Sequence, residues 1–179
     1  MMDRTKFFEE IRPLFDGFPG DKGKDQIAGL DAVLDEWDSR KLTNPRWLAY
    51  MLATDFHETA ATMQPVREAF WTSEAWRRTH LRYWPHYGRG LVQLTWDYNY
   101  RKAGEKLGLD MVASPDLALV LPNAVRIMFD GMLEGWFTGR RLDSTGTFLA
   151  WRKIINGTDR AQLIAGYADR FLAAIVAAS

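Results

Sequence analysis

Two glutamates ten residues apart, Glu58 and Glu68, are the side chains whose chemistry is easiest to state from this sequence. Two carboxyl groups facing each other across a gap can divide proton work, one protonating a leaving oxygen and the other activating water. Both lie in "LAYMLATDFHETAATMQPVRE", residues 48–68. Such pairs are common, and spacing alone favours two solvated charges, one at a helix end and one beyond Pro65. His57 beside Glu58 invites a zinc-protease reading, but that motif needs a second histidine at position 61, where Ala61 stands. The remaining histidines, His80 and His86, bring no ligand set, so no metal is expected. No GxSxG serine motif is present, "GRG" alone is no phosphate cradle, and a chain without cysteine has no thiol nucleophile. No cofactor is expected.

The elements that must position the glutamates follow from periodicity and punctuation. Asn44 as N-cap and Pro45 at the first helical position predict a helix over 45–62, with Pro65 marking its end. Leu48, Leu52, Phe56 and Thr59 fall on one side of it and Met51 at the margin. Glu58 follows Met51 by seven residues and shares its direction, which puts the carboxyl at the edge of the stripe. Partial desolvation there would raise its pKa, as a general acid requires. Asp55 points into the middle of the same stripe without an evident partner. Upstream, a helix over 4–12 stops at Pro13, "FDGFPGDKGK" reads as a loop, and Ile27, Leu30, Leu34 and Trp37 mark a second helix. Downstream, "LVQLTWDYNYRKAGEKLG" reads as a short strand or extended run entering a helix capped by Gly108. A turn at Ser114-Pro115 and a break at Pro122 precede a helix carrying Val125, Met128, Phe129 and Met132. A last helix, N-capped by Thr158 or Asp159, carries Ile164, Tyr167, Ala168, Phe171, Leu172 and Ile175.

Composition narrows the partners. The 23 basic and 23 acidic residues cancel, so no overall field draws the chain to nucleic acid or anionic lipid. The N-terminus lacks the apolar core of a signal peptide, and "FLAAIVAA" is too short to span a bilayer. Synthesis in a reducing cytoplasm, no membrane insertion and a monomeric state are expected, with residues 1–179 as one domain. The 24 aromatic residues, 8 Trp, 6 Tyr and 10 Phe, serve as core filling or as stacking platforms.

Longer motifs decide what the glutamates alone leave open. "HET" at 57–59, "YGRGLVQLTWDYNY" at 87–100, "SPDLAL" at 114–119 and "IINGTDRA" at 154–161 occur in the order found in glycoside hydrolase family 19. From about residue 22 onward the chain resembles the phage endolysin branch of that chitinase-like family. The resemblance implies a mainly helical, lysozyme-like, two-lobed fold with a small irregular β element and a substrate cleft. It implies Glu58 as general acid, Glu68 as general base, and Thr95 as a hydroxyl that helps hold the attacking water. It places Gln93, Tyr98, Asn99 and Asn156 in motifs lining the sugar cleft, with Tyr87 and Arg89 beside them and His57 next to the acid. Gln93 and Asn156 can instead satisfy backbone groups in tight turns. Family members are inverting, so the two carboxyls should stand about 6.5 to 9.5 Å apart. Arg89 is expected to pair with one of them.

Departures are equally definite. Ala60 and Ala61 stand where the family's chitinases usually have glycines, and His86 replaces the first tyrosine of "YYGRG". The plant members' cysteines are missing. The segment "FWTSEAWRRTHLRYWPH" either caps the cleft, with Arg77, Arg78 and Arg82 contacting an anionic glycan, or is a solvated loop anchored by its aromatics. The resulting expectation is an endolysin-like muramidase that cuts between N-acetylmuramic acid and N-acetylglucosamine in peptidoglycan. It would reach the cell wall through a holin pore or on lysis. The alternatives are a chitinase, a lytic transglycosylase working with one carboxylate, or a non-catalytic glycan-binding relative. A nucleic-acid binder, suggested by the arginine and aromatic run, is disfavoured by the neutral charge.

Overall fold

The computed structural model describes residues 2–18 and 20–179. Pro19, in the stretch expected to be a loop, lies outside the described residues, as does Met1. Eight α-helices and one two-stranded antiparallel ribbon make up the regular structure of the described residues. They are α1 (Arg4–Ile11), α2 (Gly20–Ser39), α3 (Pro45–Glu58), β1 (Val66–Arg67), α4 (Glu74–His80), β2 (Arg89–Gly90), α5 (Asp97–Leu107), α6 (Leu121–Glu134), α7 (Phe148–Ile155) and α8 (Ala161–Ala177). The mainly helical fold class is therefore as expected.

Helix α3 organises the molecule. Asn44 Oδ1 accepts from the Arg46 amide, so the predicted cap forms, with Pro45 opening the helix. Residues Leu48 to Phe56 are all buried, so α3 is enclosed on every side rather than along one stripe. It packs mainly against α8, which α1 and α7 also contact. Phe56 meets Tyr167 at 4.8 Å and Phe15 at 5.0 Å between ring centroids, both edge-on. On the other side, α6 packs on α2 and on the 3-10 helix Pro115–Leu119, which in turn contacts β2.

Several boundaries move from their sequence positions, each for a local reason. The stretch expected as a loop after Phe15 is helical from Gly20, and Pro13 sits inside a 3-10 turn, Arg12–Phe15, that continues α1. Helix α3 stops at Glu58, before Pro65 can act, because Thr59 Oγ1 donates to Asp55 O and accepts from the Met63 amide. Beyond it Ala60, Ala61 and Met63 all take left-handed conformations, φ 51°, 63° and 54°. This is the stretch where related sequences were expected to carry glycine, and the glycine-like backbone is kept at a steric cost of about 1–2 kcal/mol per residue. Helix α8 begins after Arg160 in a left-handed conformation, and neither Thr158 nor Asp159 caps it. Helix α7 and helix α4, the latter capped by Ser73 Oγ, were not anticipated.

Asp55 is fully buried, and neither carboxyl oxygen has a hydrogen-bond partner among the described residues. Burial holds its pKa well above the usual carboxylate range. A folded-state pKa raised above the unfolded value of about 3.9 gives stability that is complete below about pH 4 and is lost as pH rises through the folded value. Asp55→Asn removes this dependence. Its melting temperature is expected to gain on the wild type steadily between pH 4 and pH 8; an offset that stays constant with pH would show that Asp55 is not held neutral.

Candidate active site

Glu58 and Glu68 open onto the same cleft of about 580 Å³, reached from two different parts of the fold. Its other lining residues are Tyr83, Val92, Gln93, Thr95, Trp96, Tyr98 and Asn99 along one flank, and Phe137, Thr138, Ile155, Asn156 and Gly157 around the end of α7.

Glu58 is the last residue of α3, and its carboxyl is only 16% exposed. Its surroundings are not the apolar margin inferred from the helical stripe. Arg152 of α7, itself 3% exposed, donates from Nη1 to Glu58 Oε1 at 2.7 Å and from Nε to Asp159 O at 2.8 Å. One planar guanidinium thus ties the acid to the loop that carries Asn156, a bridging geometry that a lysine could not reproduce. Oε1 is committed to Arg152, which leaves Oε2 for a ligand. Arg152 was missed at the sequence level. The signal was present in "FLAWRKII", an apolar repeat at 148, 151 and 154 with an arginine one turn before Asn156.

Glu68 follows β1 directly. Strand β1 pairs with β2 in the register Val66↔Gly90 and Arg67↔Arg89, and the Glu68 amide donates to Gly88 O at 2.7 Å. The Gly88 amide returns a bond to Glu68 Oε2 at 2.9 Å, and Tyr83 Oη donates to Oε1 at 3.2 Å. Arg77 anchors the same residue from behind, Nε to Glu68 O at 2.9 Å. Gly88 is required by space: a Cβ there would lie 2.7 Å from Gln93 Oε1 and 3.2 Å from Glu68 Oε2. Gly88→Ala is expected to displace one or both side chains and lower kcat by about 10- to 100-fold, as sub-ångström to ångström misplacement does, with little change in melting temperature. Unchanged kcat would mean that the position of Glu68 is not critical.

Thr95 Oγ1 donates to Gln93 O at 2.8 Å, so toward the cleft it presents only lone pairs. Asn99 Nδ2 donates to Thr95 O at 2.9 Å, which leaves its carbonyl oxygen as an acceptor. Gln93 has φ 55°, and its Nε2 reaches Val66 O at 3.3 Å, so it does satisfy backbone as well as line the cleft. Tyr98 and Asn156 are exposed on the cleft wall.

Three residues predicted to line the site do not. Tyr87 is fully buried, its Oη donating to Glu74 Oε2 at 2.8 Å. Arg89 is 3% exposed and pairs with neither glutamate. It donates to Asp116 Oδ1 at 2.9 Å and to Pro85 O, and its guanidinium lies 3.7 Å from the Tyr87 ring centroid. Arg67 adds a bidentate bond to Asp116 at 2.6 and 2.7 Å, which holds that carboxyl below its ordinary range. This charged cluster ties the ribbon to the 3-10 helix Pro115–Leu119, so "YGRG" and "SPDLAL" meet as structure rather than as sugar contacts. His57 lies outside the cleft lining, half-buried behind Glu58, and burial lowers its pKa. Conversely Phe137, Thr138 and Trp96 line the cleft without having been singled out. Thr138 Oγ1 donates to Lys153 O at 2.6 Å, which fastens its loop to α7.

The helical scaffold thus presents two carboxyls, side-chain amides and aromatic rings across one groove. The chain belongs to glycoside hydrolase family 19: the family described as chitinase class I matches residues 49–151, from the middle of α3 to α7. It is 32% identical over 115 residues to a basic endochitinase of Vitis vinifera, a match covering 54% of this chain and 35% of that protein. It is 56% identical over 53 residues to inactive chitinase-like protein 1 of Hevea brasiliensis, covering 30% of this chain and 16% of that protein. These matches thus span about a third or less of each relative. The fold is similar to chitinase C from Streptomyces griseus HUT6037, with TM-score 0.64 and 21% identity over 96% of this chain and 75% of that one. A bacterial family 19 chitinase gives TM-score 0.53 and 22% identity, with 96% and 93% covered.

Proposed function

We propose that the protein hydrolyses a β-1,4-linked glycan containing N-acetylglucosamine, with inversion, using Glu58 as general acid and Glu68 as general base. The observation that carries this reading is the placement of the two carboxyls on one cleft with separate, dedicated partners, Arg152 for Glu58 and Gly88 with Tyr83 for Glu68. In the reaction Glu58 protonates the glycosidic oxygen as the bond to the anomeric carbon breaks. Glu68 takes a proton from a water that attacks the opposite face of the sugar. The Thr95 hydroxyl accepts a hydrogen bond from that water. Gln93, Asn99 and Asn156 offer the mixed donors and acceptors that N-acetyl and hydroxyl groups need.

Peptidoglycan is the polymer we favour, cut between N-acetylmuramic acid and N-acetylglucosamine, because Arg82, which has no carboxylate partner among the described residues, stacks on the cleft residue Trp96 and muramic acid carries a carboxylate. On this reading the protein is an endolysin-like enzyme that acts on the cell wall after release by a holin pore or by lysis. Chitin is the second reading, supported by what the relatives are called. Purified peptidoglycan and colloidal chitin digested side by side separate the two. Mass spectrometry of the products should find muramic acid at the new reducing end, and NMR of the first product should show the inverted anomer. Glucosamine at the new end would make it a glucosaminidase, and products lighter by one water would remove Glu68 from its role. No turnover on either polymer would leave a glycan-binding relative.

A further inference from the structure

We infer that Arg82, stacked on the cleft residue Trp96, and its neighbour Arg78 form a carboxylate-binding subsite that selects an anionic glycan over a neutral one. The inference rests on the cleft reading above and names what would set its substrate class.

Four of the arginines described above are committed. Arg67 and Arg89 pair with Asp116, Arg77 bonds Glu68 O and Ala69 O, and Arg152 pairs with Glu58. Arg78 and Arg82 differ. Both are exposed, and neither has a carboxylate or hydrogen-bond partner among the described residues. Each lies instead over an indole: Arg82 Cζ is 5.3 Å from the Trp96 ring and Arg78 Cζ is 5.2 Å from the Trp84 ring. The acidic groups facing this surface are occupied. Glu74 takes Trp84 Nε1, Tyr87 Oη and Arg77 Nη1, and Asp97 sits near Arg101.

The stacking has two consequences. A guanidinium resting on an aromatic face loses little freedom on binding, and its N–H edge stays available for a bidentate carboxylate. Trp96 also belongs to the cleft itself, 4.8 Å from the Tyr83 ring that bonds Glu68 and parallel to Tyr98 at 6.4 Å. A glycan seated in the cleft therefore runs past Trp96 on the Glu68 flank, and a carboxylate substituent there would meet Arg82. Apart from Glu58 and Glu68 the cleft lining carries no charged side chain, so a cation that selects by charge must stand at its edge, as Arg82 does against the lining residue Trp96.

The test uses Glu58→Gln protein, so that ligands bind without being cut. Its affinity is measured for chitotetraose and for a tetrasaccharide of alternating N-acetylglucosamine and N-acetylmuramic acid with free lactyl carboxylates. Adding Arg82→Gln and Arg78→Gln is expected to weaken the anionic ligand by about 5- to 30-fold, the scale of an exposed charge-assisted bond, and to change chitotetraose by less than about twofold. Salt should mimic the substitutions for the anionic ligand alone. Equal losses on both ligands, no preference for the anionic one in the parent, or binding of neither would overturn the inference. So would arginine-dependent adsorption to phosphatidylglycerol vesicles with glycan affinity unchanged, which would make the rim a lipid contact. If the wild type cleaves peptidoglycan while the arginine variants bind both ligands like the parent, only this inference fails. If neither polymer is cleaved, the functional reading fails first.

Discussion

Glu58→Gln is expected to lower turnover on the susceptible polymer by about a thousandfold or more while leaving the fold in place. General acid catalysis contributes about 10²- to 10⁴-fold, and a glycosidic oxygen leaves poorly without a proton. Glutamine keeps the size of the side chain and an oxygen for Arg152 Nη1 to bond, so the 2.7 Å contact has a substitute and the melting temperature should change little. The comparison that gives the experiment force is Glu68→Gln. Loss of the base removes water activation and not leaving-group protonation, so an added small nucleophile such as azide should partly restore turnover in Glu68→Gln and fail to do so in Glu58→Gln. Activity within tenfold of wild type in Glu58→Gln would remove this residue from the mechanism.

Arg152→Met is the second substitution with a large expected effect, and it acts on stability as well as rate. The guanidinium is 3% exposed and satisfies two acceptors at once, so its removal leaves Glu58 and the Asp159 carbonyl without a donor. Removing one partner of a buried ion pair costs about 3–5 kcal/mol. At about 2–4 °C per kcal/mol for a chain of this size, the melting temperature should fall by roughly 6–20 °C. Arg152→Lys keeps the charge but reaches only one of the two acceptors, so it should recover part of the stability and little of the rate. The double variant Arg152→Met, Glu58→Gln should be more stable than Arg152→Met alone, because the unpaired charge is gone. A melting temperature for Arg152→Met within 1 °C of wild type would mean that the pair contributes nothing.

The roles of Arg152 and Arg89 show where the sequence is readable and where it is not. Asn44 and Pro45 fixed the start of α3 because capping is a local hydrogen bond, and Leu48, Leu52 and Phe56 correctly marked it as a core element. The motif string carried the family and brought Gln93, Thr95, Tyr98, Asn99 and Asn156 to one cleft with both glutamates. Which arginine meets which carboxyl was not legible, since pairing depends on how α7 and the ribbon dock across the molecule. Arg89 lies 21 positions from Glu68 in the chain and next to its neighbours in space, yet Asp116 takes it. Arg152 lies 94 positions from Glu58 and touches it. The stop of α3 was misplaced because Pro65 is a conspicuous breaker, whereas a threonine folding back on Asp55 O is not. Charge around the rim was visible in "WRRTHLRYW", but the helix Glu74–His80 that presents it was not, because its exposed aromatics mask any apolar repeat.

The nine residues between the two glutamates are fastened along their length. Gln26 donates to Ala61 O at 2.8 Å, Gln64 donates to Asp25 O at 2.6 Å, and a Cβ at Gly29 would overlap the Met63 carbonyl, so α2 lies directly against them. The separation of Glu58 and Glu68 is thus written into chain length, with α2 serving as the ruler. One inserted residue adds up to about 3.5 Å of reach, comparable with the whole difference between the carboxyl spacings of retaining and inverting hydrolases. If Glu58 and Glu68 act as proposed, the count from 59 to 67 is a stereochemical setting: lengthening or shortening it would alter which face of the sugar the attacking group can approach.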